Sequence, residues 1–142
     1  MAQRGEDRRA LRFGPLSYAE GVPVSIDALL HRTYDRKRYN CAHFVSDAWK
    51  HETGQDIREQ LIGFLFPPSD RFVLFALRHS FVSLDRPKSP CIVLMRSPRR
   101  EPHVGIWLRG KVLHITQSGP QLQPLDIATL GFSIVRFYAC SE

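Results

Sequence analysis

The sequence predicts an α+β domain. Two observations carry that prediction. Helical periodicity and capping residues dominate residues 25–79, and from residue 91 onward short β-branched and aromatic runs alternate with turn residues. Helices first and antiparallel strands after is the α+β order. Size agrees: 142 residues, 43% hydrophobic and 11% aromatic, are enough for one packed core.

Residues 1–20 read as a basic N-terminal arm, leaving 21–142 as the folded domain. "SIDALLHR" (25–32) predicts a short helix with Ser25 as its N-cap. "TYDRKRYN" (33–40) is a polar loop. "CAHFVSDAWKHE" (41–52) predicts a helix, capped by Asn40 and stopped by the glycine of "TG" (53–54). Phe44, Val45, Ala48 and Trp49 share one face of it. Asp56 and Glu59 stand in capping-box spacing and predict a second short helix. "SDRFVLFALRH" (69–79) predicts a third after Pro67-Pro68, with "FVLFAL" in the core. The strands follow: "CIVLMRS" (91–97), "HVGIWLRG" (103–110), "KVLHITQ" (111–117) and "FSIVRFYAC" (132–140). "RGK" predicts a tight hairpin turn between the second and third.

The formal net charge of +6 favours an anionic partner. No run of about 18 apolar residues exists, so no membrane span is expected. The first residues, "MAQRGEDRRALRFG", lack an apolar h-region, so no secretory signal is expected. No helix combines basic with base-reading residues, so nucleic acid is not the expected partner. The three cysteines Cys41, Cys91 and Cys140 are widely spaced and odd in number, which fits a reducing compartment rather than a disulfide framework. Cys91 and Cys140 read as buried strand cysteines.

Cys41 is the residue with chemical potential. At a helix start it meets unpaired N–H groups and the positive end of the dipole, which stabilise a thiolate. Such a nucleophile needs a base, and the same N–H groups can receive an oxyanion. The alternative is a buried structural cysteine. His103 begins a predicted strand, and His114 falls roughly opposite it across the hairpin. The pair can be a base and its orienting partner. The competing use is a metal site of Cys41, His103 and His114, with His43; no short zinc-type ligand pair anchors it, so no metal is expected. His43 either tunes the neighbouring thiol or is a neutral or exposed helix residue. The basic loops read as solvated, and "SPRREP" just before His103 places Arg99 and Arg100 as candidates for a cleft rim.

The blocks "YNCAHFVSDAW", "PCIVLMRS", "PHVGIWL" and "KVLHI", in this order, resemble the NlpC and p-sixty family of cell-wall cysteine peptidases. That resemblance covers about residues 25–140. It implies a papain-like domain, with N-terminal helices and the nucleophile helix packed on an antiparallel sheet. It further implies that Cys41 is the nucleophile, His103 the general base and His114 the residue orienting the base. An upstream tyrosine near the oxyanion is expected, with Tyr34 and Tyr39 both candidates. The implied substrate is a peptide bond of the peptidoglycan stem or cross-link, with no cofactor. Departures from the family pattern fall at Asn40 (usually Asp), at Ala42-His43 (usually Ser-Gly) and at Pro90-Cys91 (usually Gly-Asp). They bear on the substrate subsite, where Asn40 and His43 are rim candidates. "NCAHFV" is also similar to a block of the lecithin:retinol acyltransferase-like family, but there histidine precedes cysteine, and here Cys41 precedes His103. A lipid acyltransferase would need an apolar groove beside Cys41.

A wall-hydrolase domain without an expected secretory signal suggests synthesis in the bacterial cytoplasm, delivery by a machine, with a bacteriophage tail the first expectation and a secreted toxin or effector the second, and action in the periplasm or wall. Other tail proteins are then expected partners. The competing function is structural: a tail-tip assembly protein whose hydrolase site is vestigial or masked.

Overall fold

The computed structural model describes residues 25–61 and 81–140. The expected third helix (69–79), its core run "FVLFAL" and the basic arm lie outside the described residues.

The first regular element is one 3-10 turn, Asp27–Leu29. Ser25 Oγ accepts the Asp27 N–H, a local turn bond, and no longer helix follows. Helix α1 spans Cys41–Thr53. Asn40 caps it, its side-chain oxygen accepting the N–H groups of Ala42 (2.9 Å) and His43 (3.5 Å). His43 answers as the third helical residue: its Nδ1 accepts the Asn40 N–H at 3.0 Å, closing a capping box in which imidazole replaces the usual carboxylate. Gly54 ends the helix at φ 79°, a left-handed conformation that glycine adopts without a Cβ clash, and its N–H bonds Lys50 O. Phe44, Val45, Ala48 and Trp49 are buried together, as their spacing predicts. Of the second expected helix, the described residues form only a 3-10 turn, Glu59–Leu61, with the Asp56 carboxylate accepting the Arg58 N–H in a tight local loop; the rest of it lies outside the described residues.

Six strands follow: β1 (Phe81–Leu84), β2 (Cys91–Ser97), β3 (Arg100–Leu108), β4 (Lys111–Thr116), β5 (Gly119–Gln123) and β6 (Ile134–Cys140). A four-residue helix α2, Leu125–Ala128, joins the last two. The strands form one antiparallel sheet in the order β1-β6-β2-β3-β4-β5. The α+β, papain-like arrangement with several helices is therefore corrected. Among the described residues the chain is mostly antiparallel sheet, and α1 is its one substantial helix. Two further strands, β1 and β5, lie where no strand was expected. Strand β3 also begins three residues before His103, so Arg100–Pro102 belong to the sheet rather than to a loop.

Alternation sorts the sheet residues onto two faces. Ile92, Leu94, Val104, Ile106, Leu108, Leu113 and Ile115 share one core with the buried residues of α1. Val93, Met95 and Val112 form a second core with Ala128 of α2, flanked by Trp107, Phe132 and Phe137. Cys91 is buried as expected, but Cys140 is only half-buried. The β3–β4 hairpin turns on Arg109 (φ 53°) and Gly110 (φ 82°), the paired positive φ of a type I′ turn.

That turn fixes the register Leu108↔Lys111, Trp107↔Val112 and Ile106↔Leu113. By count, Gly105 then falls beside His114, and His103 lies diagonal to it rather than opposite. Glycine is required here for space. A Cβ on residue 105 would stand 2.8 Å from Val112 Cγ1, 3.1 Å from His114 Cβ and 3.2 Å from Leu113 O. Gly→Ala in an open strand position is favourable by roughly 0.5–1 kcal/mol. Overpacking reverses that sign, so Gly105→Ala is expected to destabilise the fold by about 1–3 kcal/mol, read as a lowered urea midpoint.

Candidate active site

A cleft of about 660 Å³ opens between the start of α1 and the ends of β3 and β4. Cys41 and Asn40 border it from the helix, His103 and His114 from the sheet, and Tyr34 from the loop before α1. That loop is braced. Asp35 pairs with Tyr39 through both backbone bonds, and its carboxylate accepts the N–H groups of Lys37 and Arg38. Arg36 forms an ion pair with Glu101 at the start of β3, tying the loop to the sheet.

Cys41 is the first residue of α1 and only 5% exposed. Backbone N–H groups of Val104, Ala42 and Cys41 itself favour the thiolate, but burial outweighs them and pushes the thiol up to about 11. The expectation of a thiol acidified by its helix start is corrected on that ground. Burial, then the neighbouring His114 and Arg100, holds His103 down to about 3. At neutral pH both groups are uncharged.

The histidines join in a chain. His103 Nε2 lies 2.8 Å from His114 Nδ1, and His114 Nε2 lies 2.7 Å from Gln123 Oε1. The His103 ring also stacks on Phe132, at 6.0 Å between centroids and 12° between planes. One nitrogen of His103, Nδ1, is left for the cleft. Among the described residues no hydrogen bond joins Cys41 to His103 directly; such bonds commonly tighten only once substrate is in place. His114 is held below its ordinary value by burial, partly offset by its bond to Gln123.

The other candidates separate. Tyr34 borders the cleft, and burial followed by the nearby Cys41 raises its phenol pKa. Tyr39 does not border it: its hydroxyl donates to Asp47 and accepts from Arg32 at 3.1 Å, and its ring stacks on His43. His43 is corrected as a rim residue, because the capping box buries it to 8% exposure, where it stays neutral. Asn40 serves as cap and cleft wall together. Arg99 lies in the exposed β2–β3 turn outside the cleft. Arg100 borders the cleft, its guanidinium 4.1 Å above the Phe132 ring. Among the described residues no group of three or more His, Cys, Asp and Glu is placed to hold a metal ion.

Gln123, Phe132 and Glu101 were not foreseen. The signal for Gln123 was faint: two glutamines, Gln121 and Gln123, two apart in "PQLQP", put like groups on one face of a strand. Glycine and proline at 119–120 hid that strand.

In chemical terms the site offers a buried thiol at a helix start. Lining the same cleft is a neutral imidazole with one nitrogen tied back and one free. A hydroxyl-bearing ring and a cleft wall of mixed polar and apolar character complete it. No protein-family model and no curated protein matches the chain.

Proposed function

We propose that this protein is a thiol hydrolase that cleaves an amide bond in the peptide part of bacterial peptidoglycan. The observation that supports it most is the chain His103–His114–Gln123 reaching the cleft that Cys41 borders. A base whose far nitrogen is tied back is what a neutral thiol requires. As the Cys41 sulfur attacks the substrate carbonyl, His103 Nδ1 takes the thiol proton. The carbonyl oxygen becomes an oxyanion, for which the Cys41 N–H and the Tyr34 hydroxyl are the donors at hand; the Ala42 and His43 N–H groups already serve Asn40. Collapse breaks the C–N bond, and His103 returns the proton to the leaving amine. Water, deprotonated by His103, then cleaves the thioester and frees the thiol.

The peptide substrate suits a cleft whose wall mixes polar residues (Arg100, Glu101, Thr116, Gln117, Ser118) with apolar ones such as Leu130 and Phe132. An acyl chain would want an apolar groove instead. The choice of wall peptide rests on the likeness of the cysteine and histidine blocks to the NlpC family, and the net charge of +6 suits an anionic wall polymer. No helix of the described residues is long and apolar enough to cross a membrane.

The test is digestion of purified sacculi by the folded protein at neutral pH, with soluble fragments read by mass spectrometry. Fragments sharing one newly freed amine and carboxylate are expected, and their masses name the bond. Absence of any release overturns the reading in favour of a structural role.

A further inference from the structure

Resting on the hydrolase reading, we propose that Gln123 is a positioning residue that sets the direction of the hydrogen bonds through the histidine pair. His114 makes two bonds at once, to His103 Nε2 at 2.8 Å and to Gln123 Oε1 at 2.7 Å. A neutral imidazole holds one proton, so one ring nitrogen donates and the other accepts. The carboxamide oxygen of Gln123 only accepts. His114 therefore carries its proton on Nε2, and its Nδ1 offers a lone pair. The bond between the rings then has to be donated by His103 Nε2–H. That leaves His103 Nδ1 unprotonated, the form a general base needs.

The reverse arrangement is equally continuous and chemically useless. Were the Gln123 amide turned, its NH₂ would donate to His114 Nε2, His114 Nδ1–H would donate to His103 Nε2, and His103 would present to the cleft a protonated Nδ1 with no lone pair to accept the thiol proton. Gln121 supports the productive orientation. It lies two residues away on the same face of β5, and its Oε1 stands 3.4 Å from Gln123 Nε2, ready to accept from it. The selecting group thus sits one side chain beyond His103, behind His114, and does not line the cleft. Its effect is on which proton state His103 presents.

Nitrogen NMR of the histidine side chains reads the proton positions in the folded protein without any substrate. His103 and His114 are expected to carry their protons on Nε2. Gln123→Leu removes the acceptor, and a population with His103 protonated on Nδ1 is expected to appear. Its kcat for wall-peptide cleavage falls about tenfold or more, with KM within about twofold, since the lost function is proton transfer rather than binding. Gln123→Glu keeps an accepting oxygen and restores both the proton positions and most of kcat. A proton on Nδ1 of His103 in the unaltered protein, or unchanged proton positions in Gln123→Leu, overturns the proposal. The NMR result stands apart from activity. A protein that releases nothing from sacculi defeats the hydrolase reading, while the proton positions still decide the role of Gln123.

Discussion

On the proposed hydrolase reading, Cys41→Ala is expected to remove amide hydrolysis, with kcat falling on the order of 10⁴-fold or more, to background. The reason is covalent: without the sulfur no thioester forms, and the imidazole has no proton to accept from the attacking group. The fold survives the change. Cys41 is 5% exposed, and truncation to alanine removes one atom from the edge of the core, a cost of about 1 kcal/mol. The helix start does not depend on the sulfur, because Asn40 and His43 cap it with their own side chains. Circular dichroism and the thermal midpoint are expected to be close to those of the unaltered protein while wall-peptide cleavage is absent. Cys41→Ser is expected to be inactive as well, since a hydroxyl is a far weaker nucleophile than a thiol. Activity near the original level in a folded Cys41→Ala protein contradicts the assignment.

His103→Ala is expected to lower kcat by about 10²–10⁴-fold. The size of the loss follows from the charge state of the pair. A thiol pushed up to about 11 gives little thiolate at neutral pH, so attack must be coupled to proton removal. A preformed ion pair would lose less, because the sulfur would already be charged. The ring also fills space against Phe132 and His114, so stability falls too; His103→Gln retains volume and separates the two effects. The double variant Cys41→Ala/His103→Ala is expected to be no slower than Cys41→Ala alone, because groups acting as one unit do not add. A kcat unchanged in a folded His103→Gln protein contradicts its role as base.

The site was more legible in the sequence than the fold around it. Asn40, the apolar stripe of α1 and Gly54 announce the helix that carries Cys41, because capping and periodicity act within a few residues. The hairpin was equally local: "RG" between β-branched runs fixes the turn, and the turn fixes the register that sets His103 near His114. What failed, among the described residues, was the extent of helix. Ser25 and Asp56 have the chemistry of caps, but each closes a short turn instead, since the same side chains serve both. Strand β5 went unseen because Gly119 and Pro120 disfavour strand on local grounds, and pairing with β4 overrides that preference. His43 and Tyr39 misled for a related reason. Sequence places them beside Cys41, but the capping box holds the His43 side chain at Asn40, and Asp47 holds the Tyr39 hydroxyl.

The most direct measurement is the mass of the intact protein after rapid acid quench during turnover of a wall peptide. The predicted result is a fraction of molecules heavier by the acyl part of the cleaved peptide, with the adduct mapped to Cys41 and released by hydroxylamine, as a thioester is. Cleavage without any adduct on Cys41, continuing in Cys41→Ala, would contradict the account.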